Sequence, residues 1–201
     1  MDLAATVFSS GWASGVNAYA TIVVLSLIGR SGVGAVPDGL DSDPVLIGAS
    51  ILYLVEFVAD KVPFFDSLWD SIHTVIRPAI GTALGFAFTN HADVSSLDEL
   101  FGGGTAGLTA LTSHCIKAGL RLGINTSPEP ASNIFASLTE DSLAITVAYF
   151  AINNPELAAL IAFLLLVVGV ILLIVLWKSI RAAWGRYRQW REKRRRPPGG
   201  I

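Results

Sequence analysis

The chain has 201 residues, of which 52% are apolar and only 15% charged, with a mean hydropathy of +0.58. A water-soluble domain carries roughly 25% charge, so this balance excludes an ordinary soluble enzyme and points to an integral membrane protein. The net charge of −2 conceals an asymmetry: residues 178–201 hold nine Lys or Arg against Glu192 alone, which leaves the rest of the chain acidic.

The length allows about six spans of ~20 residues, so an all-α six-helix bundle over 1–177 and a basic tail over 178–201 are expected. The single cysteine, Cys115, excludes an intrachain disulfide framework and a cysteine cluster for zinc. It is expected as a small packing residue.

In chain order, the first span covers about Ala4 to Ile28. No basic n-region or cleavage site marks it as a leader, so it is read as retained. Its small-residue patch, Ser9 to Ala20, contains Gly11 and Gly15 as a GxxxG pair together with Asn17. Such a patch lets another backbone come close. A short polar connector, Arg30 to Asp43, leads to a second span from about Pro44 to Lys61, near whose end Glu56 and Asp60 share one face.

Asp66 or Ser67, with Asp70 three residues after Ser67, makes a capping-box-like start for a third span over Ser67 to Thr89. On it Asp70, His73 and Arg77 fall at i, i+3 and i+7, and Pro78 predicts a kink. An acidic connector, Asn90 to Glu99, precedes a fourth span that opens at Gly102, Gly103 and Gly104 and runs to about Gly123. There His114, Lys117 and Arg121 repeat the same spacing. Pro128 and Pro130 start a fifth span reaching about Ile152, with Glu140 and Asp141 some two turns inside. The sixth, Leu157 to Trp177, is uncharged over 21 residues and ends on Trp177 and Lys178 as interfacial anchors.

A basic run directly after a span belongs in the cytoplasm. Six spans then put both termini there and the acidic segments 31–43 and 90–99 outside, in what is expected to be a bacterial cytoplasmic membrane. The tail is expected to hold anionic lipid headgroups rather than nucleic acid. Sliding the first span by 92 residues sets Gly11 on Gly103 and Gly15 on Gly107, and a shift of 84 sets Glu56 on Glu140. This predicts two inverted three-helix repeats, 4–89 and 101–177, with broken or kinked helices. The further GxxxG pairs Gly81/Gly85 and Gly119/Gly123 point to a homo-oligomer.

No Walker loop, dinucleotide fingerprint or HExxH string is present, and Arg77-Pro78 lacks the PSGH string of lipid-phosphate phosphatases. What carries chemistry is the set of charges inside apolar spans, each of which costs ~2.5 to 3.5 kcal/mol at a bilayer centre and so implies a use. We read the chain as a small secondary transporter. His73, Arg77, His114, Lys117 and Arg121, with Asn17, hold a small or lipid-linked anionic group. Glu56, Asp60, Asp70, Glu140 and Asp141 carry the coupling proton or cation. No cofactor is called for; a metal is left open, since the acids in reversed roles would bind a divalent cation. An intramembrane enzyme acting on a lipid phosphate, and a structural protein whose charges only pair internally, remain open, with a non-enzymatic role preferred.

The strings SGWASGVNAYAT from Ser10, VEFVADKVPFFDSLWDSIHTVIRP from Val55 and HCIKAGLRLGINTSPEPASNIFASLTED from His114 closely resemble the signature segments of an uncharacterised membrane family, domain of unknown function 4126. The resemblance covers about residues 8–175. It implies a polytopic membrane fold.

Overall fold

A computed structural model describes residues 2–62, 64–126 and 130–195. All the regular structure in them is helical: α1 (Leu3–Val16), α2 (Ala18–Arg30), α3 (Asp43–Ala59), α4 (Phe65–His91), α5 (Ser96–Ile124), α6 (Pro130–Asn153) and α7 (Pro155–Arg195). By length and composition, two of them are apolar enough to cross a membrane, α6 over Ala131–Asn153 and α7 over Pro155–Arg191.

The expected first span is two helices. Asn17 stands between them in an extended conformation, φ −148° and ψ 101°, and its side chain caps α2 by accepting from the Ala20 N–H at 2.9 Å. An Asn at this position satisfies one of the orphan N–H groups of the second helix, which a continuous helix would not need. The two arms then return to the same end of the bundle. Thr6, early in α1, donates to the Ala151 carbonyl near the end of α6 at 3.1 Å, whereas Asn17 donates to Asp141 earlier on that helix at 2.8 Å. Val7 of α1 and Leu25 and Ile28 of α2 share one apolar cluster with Leu84, Phe88 and Ile152. Thus α1 and α2 form a helical hairpin whose tip, Asn17, lies about 15 Å along α6 from its open end at 1.5 Å per residue.

Glycine makes the hairpin's seat. Gly11 and Gly15 lie against Ala106 and Ala110 of α5, and a Cβ on Gly11 would stand 2.6 Å from the Ala106 carbonyl oxygen. Gly81 and Gly85 of α4 press on the same α5 surface, at Ala110 and Gly102. Contacts of this closeness need small residues on both sides. The GxxxG pairs expected to join two copies are therefore buried within the chain, with Gly119 and Gly123 facing Leu173 and Leu176 of α7.

These contacts also fix direction. Along α1 and α5 the register Gly11 to Ala106, Gly15 to Ala110 shows the two helices running parallel. Inverted repeats would set them antiparallel, and α5 has no counterpart of the Asn17 break, so the inverted repeat is not what the chain forms. Leu3 packs on the cluster at one end of the bundle, while Leu176 of α7 reaches Gly123 at the other. The two termini thus leave from opposite ends, in place of the shared side expected. We call the end with Asp2, Asp38, Asp41, Asp43, Asp93, Asp98 and Glu99 the acidic end and the opposite one the basic end.

Several boundaries move for local reasons. α5 begins at Ser96, because Ser95 caps it and exchanges a hydrogen bond with Asp98, so much of the acidic connector is helical. α4 begins at Phe65 after Phe64 at φ 68°, without the capping box; Asp66 instead accepts from the Ser67 N–H. α4 also continues through Pro78. α7 continues past Trp177 to Arg195, so the basic segment extends the last helix. Cys115 is exposed on α5, not buried as a packing residue. Pro128 lies outside the described residues, and Pro130 is the first residue of α6.

Candidate functional site

Below the hairpin tip, toward the basic end, α5 presents His114, Lys117 and Arg121 to the charged faces of α3, α4 and α6. All three are buried, as are Arg77, His73, Glu56, Asp60, Asp66, Asp70 and Asp141. From His114 to Arg121 the column spans about 10 Å of helix.

Its upper level centres on Arg77, whose side chain is fully buried. Nη2 donates to Glu56 Oε1 at 2.7 Å, and Nη1 lies 3.1 Å from Asp70 Oδ1. Nη1 also donates to His114 Nδ1 at 2.7 Å. An arginine has no acceptor, so this contact makes His114 Nδ1 the acceptor and places the ring proton on Nε2, from which it reaches the Thr74 hydroxyl at 3.1 Å. The Gly15 carbonyl of the hairpin tip accepts a longer bond from Nη1 at 3.4 Å.

At the middle level the Lys117 ammonium lies 2.7 Å from Asp60 Oδ2 and 3.1 Å from the Val16 carbonyl oxygen. Glu56 Oε1 and Glu140 Oε2 each stand 3.7 Å away. The lowest level is Arg121. Its Nε and Nη2 grip Glu140, with Nη2 to Oε2 at 2.5 Å, and Nη1 donates to the Asp60 carbonyl at 2.7 Å. Asp66 Oδ2 faces Nη1 at 3.5 Å, and Asn125 closes the column from below with 2.9 Å bonds to Asp66 Oδ1 and Ser67 Oγ.

The expected binding residues converge, but not as a free cationic pocket. Each of Arg77, Lys117 and Arg121 is in contact with at least two carboxylates. His73 turns instead to Tyr19 of α2, whose hydroxyl is 3.1 Å from Nε2, while Nδ1 donates to the Trp69 carbonyl and the ring stacks on the Trp69 indole. Lys61 sits at the edge, donating to the Phe57 carbonyl and Ser137. Asp66, Asn125 and the Val16 carbonyl were missed from sequence. Asp66 stands four residues before Asp70 and so belongs to the same stripe, which was the available signal.

The acids outnumber the buried bases: Glu56, Asp60, Asp66, Asp70, Glu140 and Asp141 meet Arg77, Lys117 and Arg121. Oxygens of Glu56, Asp60, Asp66, Asp70 and Asp141 are buried without a hydrogen-bond partner. Asp66 Oδ2 and Asp70 Oδ1 still face arginines, whereas no ion pair reaches Glu56 Oε2, Asp60 Oδ1 or Asp141 Oδ2. Buried carboxylate oxygens of that kind are costly unless a proton or cation joins them. No trio of His, Cys, Asp or Glu among the described residues stands where a metal ion would join them directly.

An all-helical bundle that folds a helical hairpin onto a buried, acid-rich ion-pair column defines the class. The chain belongs to the family described as Domain of unknown function (DUF4126), whose model matches residues 4–175. No curated protein and no solved structure matches the chain.

Proposed function

We propose that this is a small membrane transporter whose charged column binds protons or monovalent cations and couples their movement to alternating exposure of its two ends. The observation that carries the reading is the placing of the hairpin tip directly on the column. Non-helical backbone at membrane depth is tolerated where it is buried in protein or lines a site, and broken helices in transporters present their carbonyl ends to coupling cations. In this reading α3 to α7 cross the bilayer and α1–α2 enter from the acidic side. Their outward side chains are apolar, among them Ile51, Leu54, Val58, Val75, Leu164, Val168 and Ile171. The positive-inside rule sets the basic end in the cytoplasm and the N-terminus outside.

A means of movement is at hand in α3. The residues it buries are Ala49, Glu56 and Ala59, and its main packing partner is α2. Its hold on α4 and α5 rests on Glu56 to Arg77 and, just beyond its end, Asp60 to Lys117. Neutralising those carboxylates with protons or replacing their partners with another cation loosens α3 from α4 and α5, which is the coupling step. An anion, small or lipid-linked, has first to displace a carboxylate from each base, so cation coupling is favoured over anion binding.

The purified protein in liposomes holding a pH-sensitive dye tests this. With a potassium gradient imposed, luminal pH is expected to change faster than in protein-free liposomes. Rates no higher than in protein-free liposomes under potassium, sodium and proton gradients alike would leave the internally paired, structural reading in its place.

A further inference from the structure

The surroundings of the Lys117 ammonium are those of a cation site. Four oxygens surround Nζ: Asp60 Oδ2, just past the end of α3, at 2.7 Å, the Val16 carbonyl at 3.1 Å, and Glu56 Oε1 and Glu140 Oε2 at 3.7 Å each, the last two shared with Arg77 and Arg121. The Val16 carbonyl is free for this because the Ala20 N–H, which would claim it in an unbroken helix, is taken by Asn17 Oδ1. As the last carbonyl of α1 it also lies at the negative end of that helix. The site is more than a cluster of acids. Asp60, 1% exposed, turns Oδ2 to the ammonium and keeps Oδ1 buried without a hydrogen bond; Glu56, 0% exposed, shares Oε1 between Arg77 and the ammonium and keeps Oε2 buried without one.

We propose that this is a monovalent-cation site, for an alkali ion or ammonium, and that the Lys117 side chain is its resting occupant. An arriving cation takes the oxygens and displaces the tethered ammonium. The displaced ammonium stays tethered to α5 and swings out of the cage to solvent, so that one unit charge replaces another at the oxygens. A divalent ion would add a second charge and asks for closer, more regular oxygen ligands than this cage sets. The proposal deepens the transport reading by naming the class of the coupling ion, and it rests on that reading only for what binding does, not for binding itself.

Two measurements on the full chain in detergent test it, neither of which needs transport. In the wild type, acylation of Lys117 by an amine-selective reagent, read by mass spectrometry, is expected to rise several-fold with potassium, sodium or ammonium chloride. Choline chloride of equal ionic strength, which has no acylatable nitrogen, is the reference, and labelling is read relative to Lys178, which also corrects for reagent consumed by ammonium. In Lys117→Ala the vacated cage is open. Its thermal stability is expected to be low in N-methylglucamine and to recover in a saturable way with one of the small cations, following the logarithmic dependence of a ligand bound by the native state. Lys117→Met fills the space without charge and should show no such recovery. A Lys117 reactivity indifferent to the small cations overturns the proposal, whether or not Lys117→Ala folds. So does a folded Lys117→Ala protein with no cation-specific recovery. If labelling and recovery succeed while liposomes carry no flux, the site stands and the transport reading falls.

Discussion

Arg77 concentrates the energetics of the column at the scale of single residues. It is fully buried between Glu56 and Asp70 and also holds His114 in one tautomer. Removing one partner of a buried ion pair leaves the other charge unpaired, which typically costs about 3 to 5 kcal/mol, whereas replacing both by uncharged groups is often neutral. Arg77→Gln is therefore expected to destabilise by that order, and the double change Glu56→Gln with Arg77→Gln to regain much of it. Unfolding followed by helical circular dichroism measures both. Additive losses would show that the two side chains act separately. The stripes Asp70–His73–Arg77 and His114–Lys117–Arg121 were legible in the sequence, because the helical period alone puts such residues on one face. Their partners were not, since which acid meets which base depends on how α3 and α6 lean on α4 and α5.

The hairpin is the decisive element. Its two arms together have the length and apolarity of one ordinary span, no proline stands at the turn, and Gly15 reads as half of a GxxxG pair, so periodicity reads Ala4 to Ile28 as continuous. Asn17 was the local signal: an N-cap residue in the middle of an apolar run, satisfied by Ala20 and tied to Asp141. Asn17→Ala removes the cap, worth ~1 kcal/mol, and leaves Asp141 without its donor. We expect a melting temperature lower by several degrees. Asn17→Asp keeps the cap but sets a carboxylate against Asp141, and is expected to do worse than alanine at neutral pH. Equal effects of the two changes would argue against the Asn17–Asp141 contact. Gly15 offers a steric test of the same element. Its position against Ala110 and Ser113 leaves no room for a side chain, so Gly15→Leu is expected to unseat the tip, seen as faster proteolysis of α1.

Across the whole molecule, the hairpin changes topology. In the proposed membrane arrangement a chain that enters and returns before its first full crossing places its N-terminus opposite its C-terminal basic helix, while six simple spans would place them together. In a Cys115→Ser background, which removes the exposed native thiol, cysteines at Ala4 and Ser95 are expected to react with an impermeant reagent from outside. One at Gly185 should react only after permeabilisation. Ala4 reacting from the same side as Gly185 would contradict the hairpin. Composition revealed the helical class and the charge bias of the two ends. It did not reveal the hairpin, because a broken helix buried in protein has the same hydropathy as an unbroken one.

The central claim, that the acid-rich column is where cations couple to movement, meets its most direct test in flux through reconstituted protein. Rubidium uptake against a proton gradient should be present in the wild type and in Arg30→Ala, whose exposed pair with Asp43 lies outside the column. In Glu56→Gln with Asp60→Asn it should fall to the level of protein-free liposomes. Uptake of equal rate in the wild type and in the doubly neutralised protein, both folded, would contradict the account.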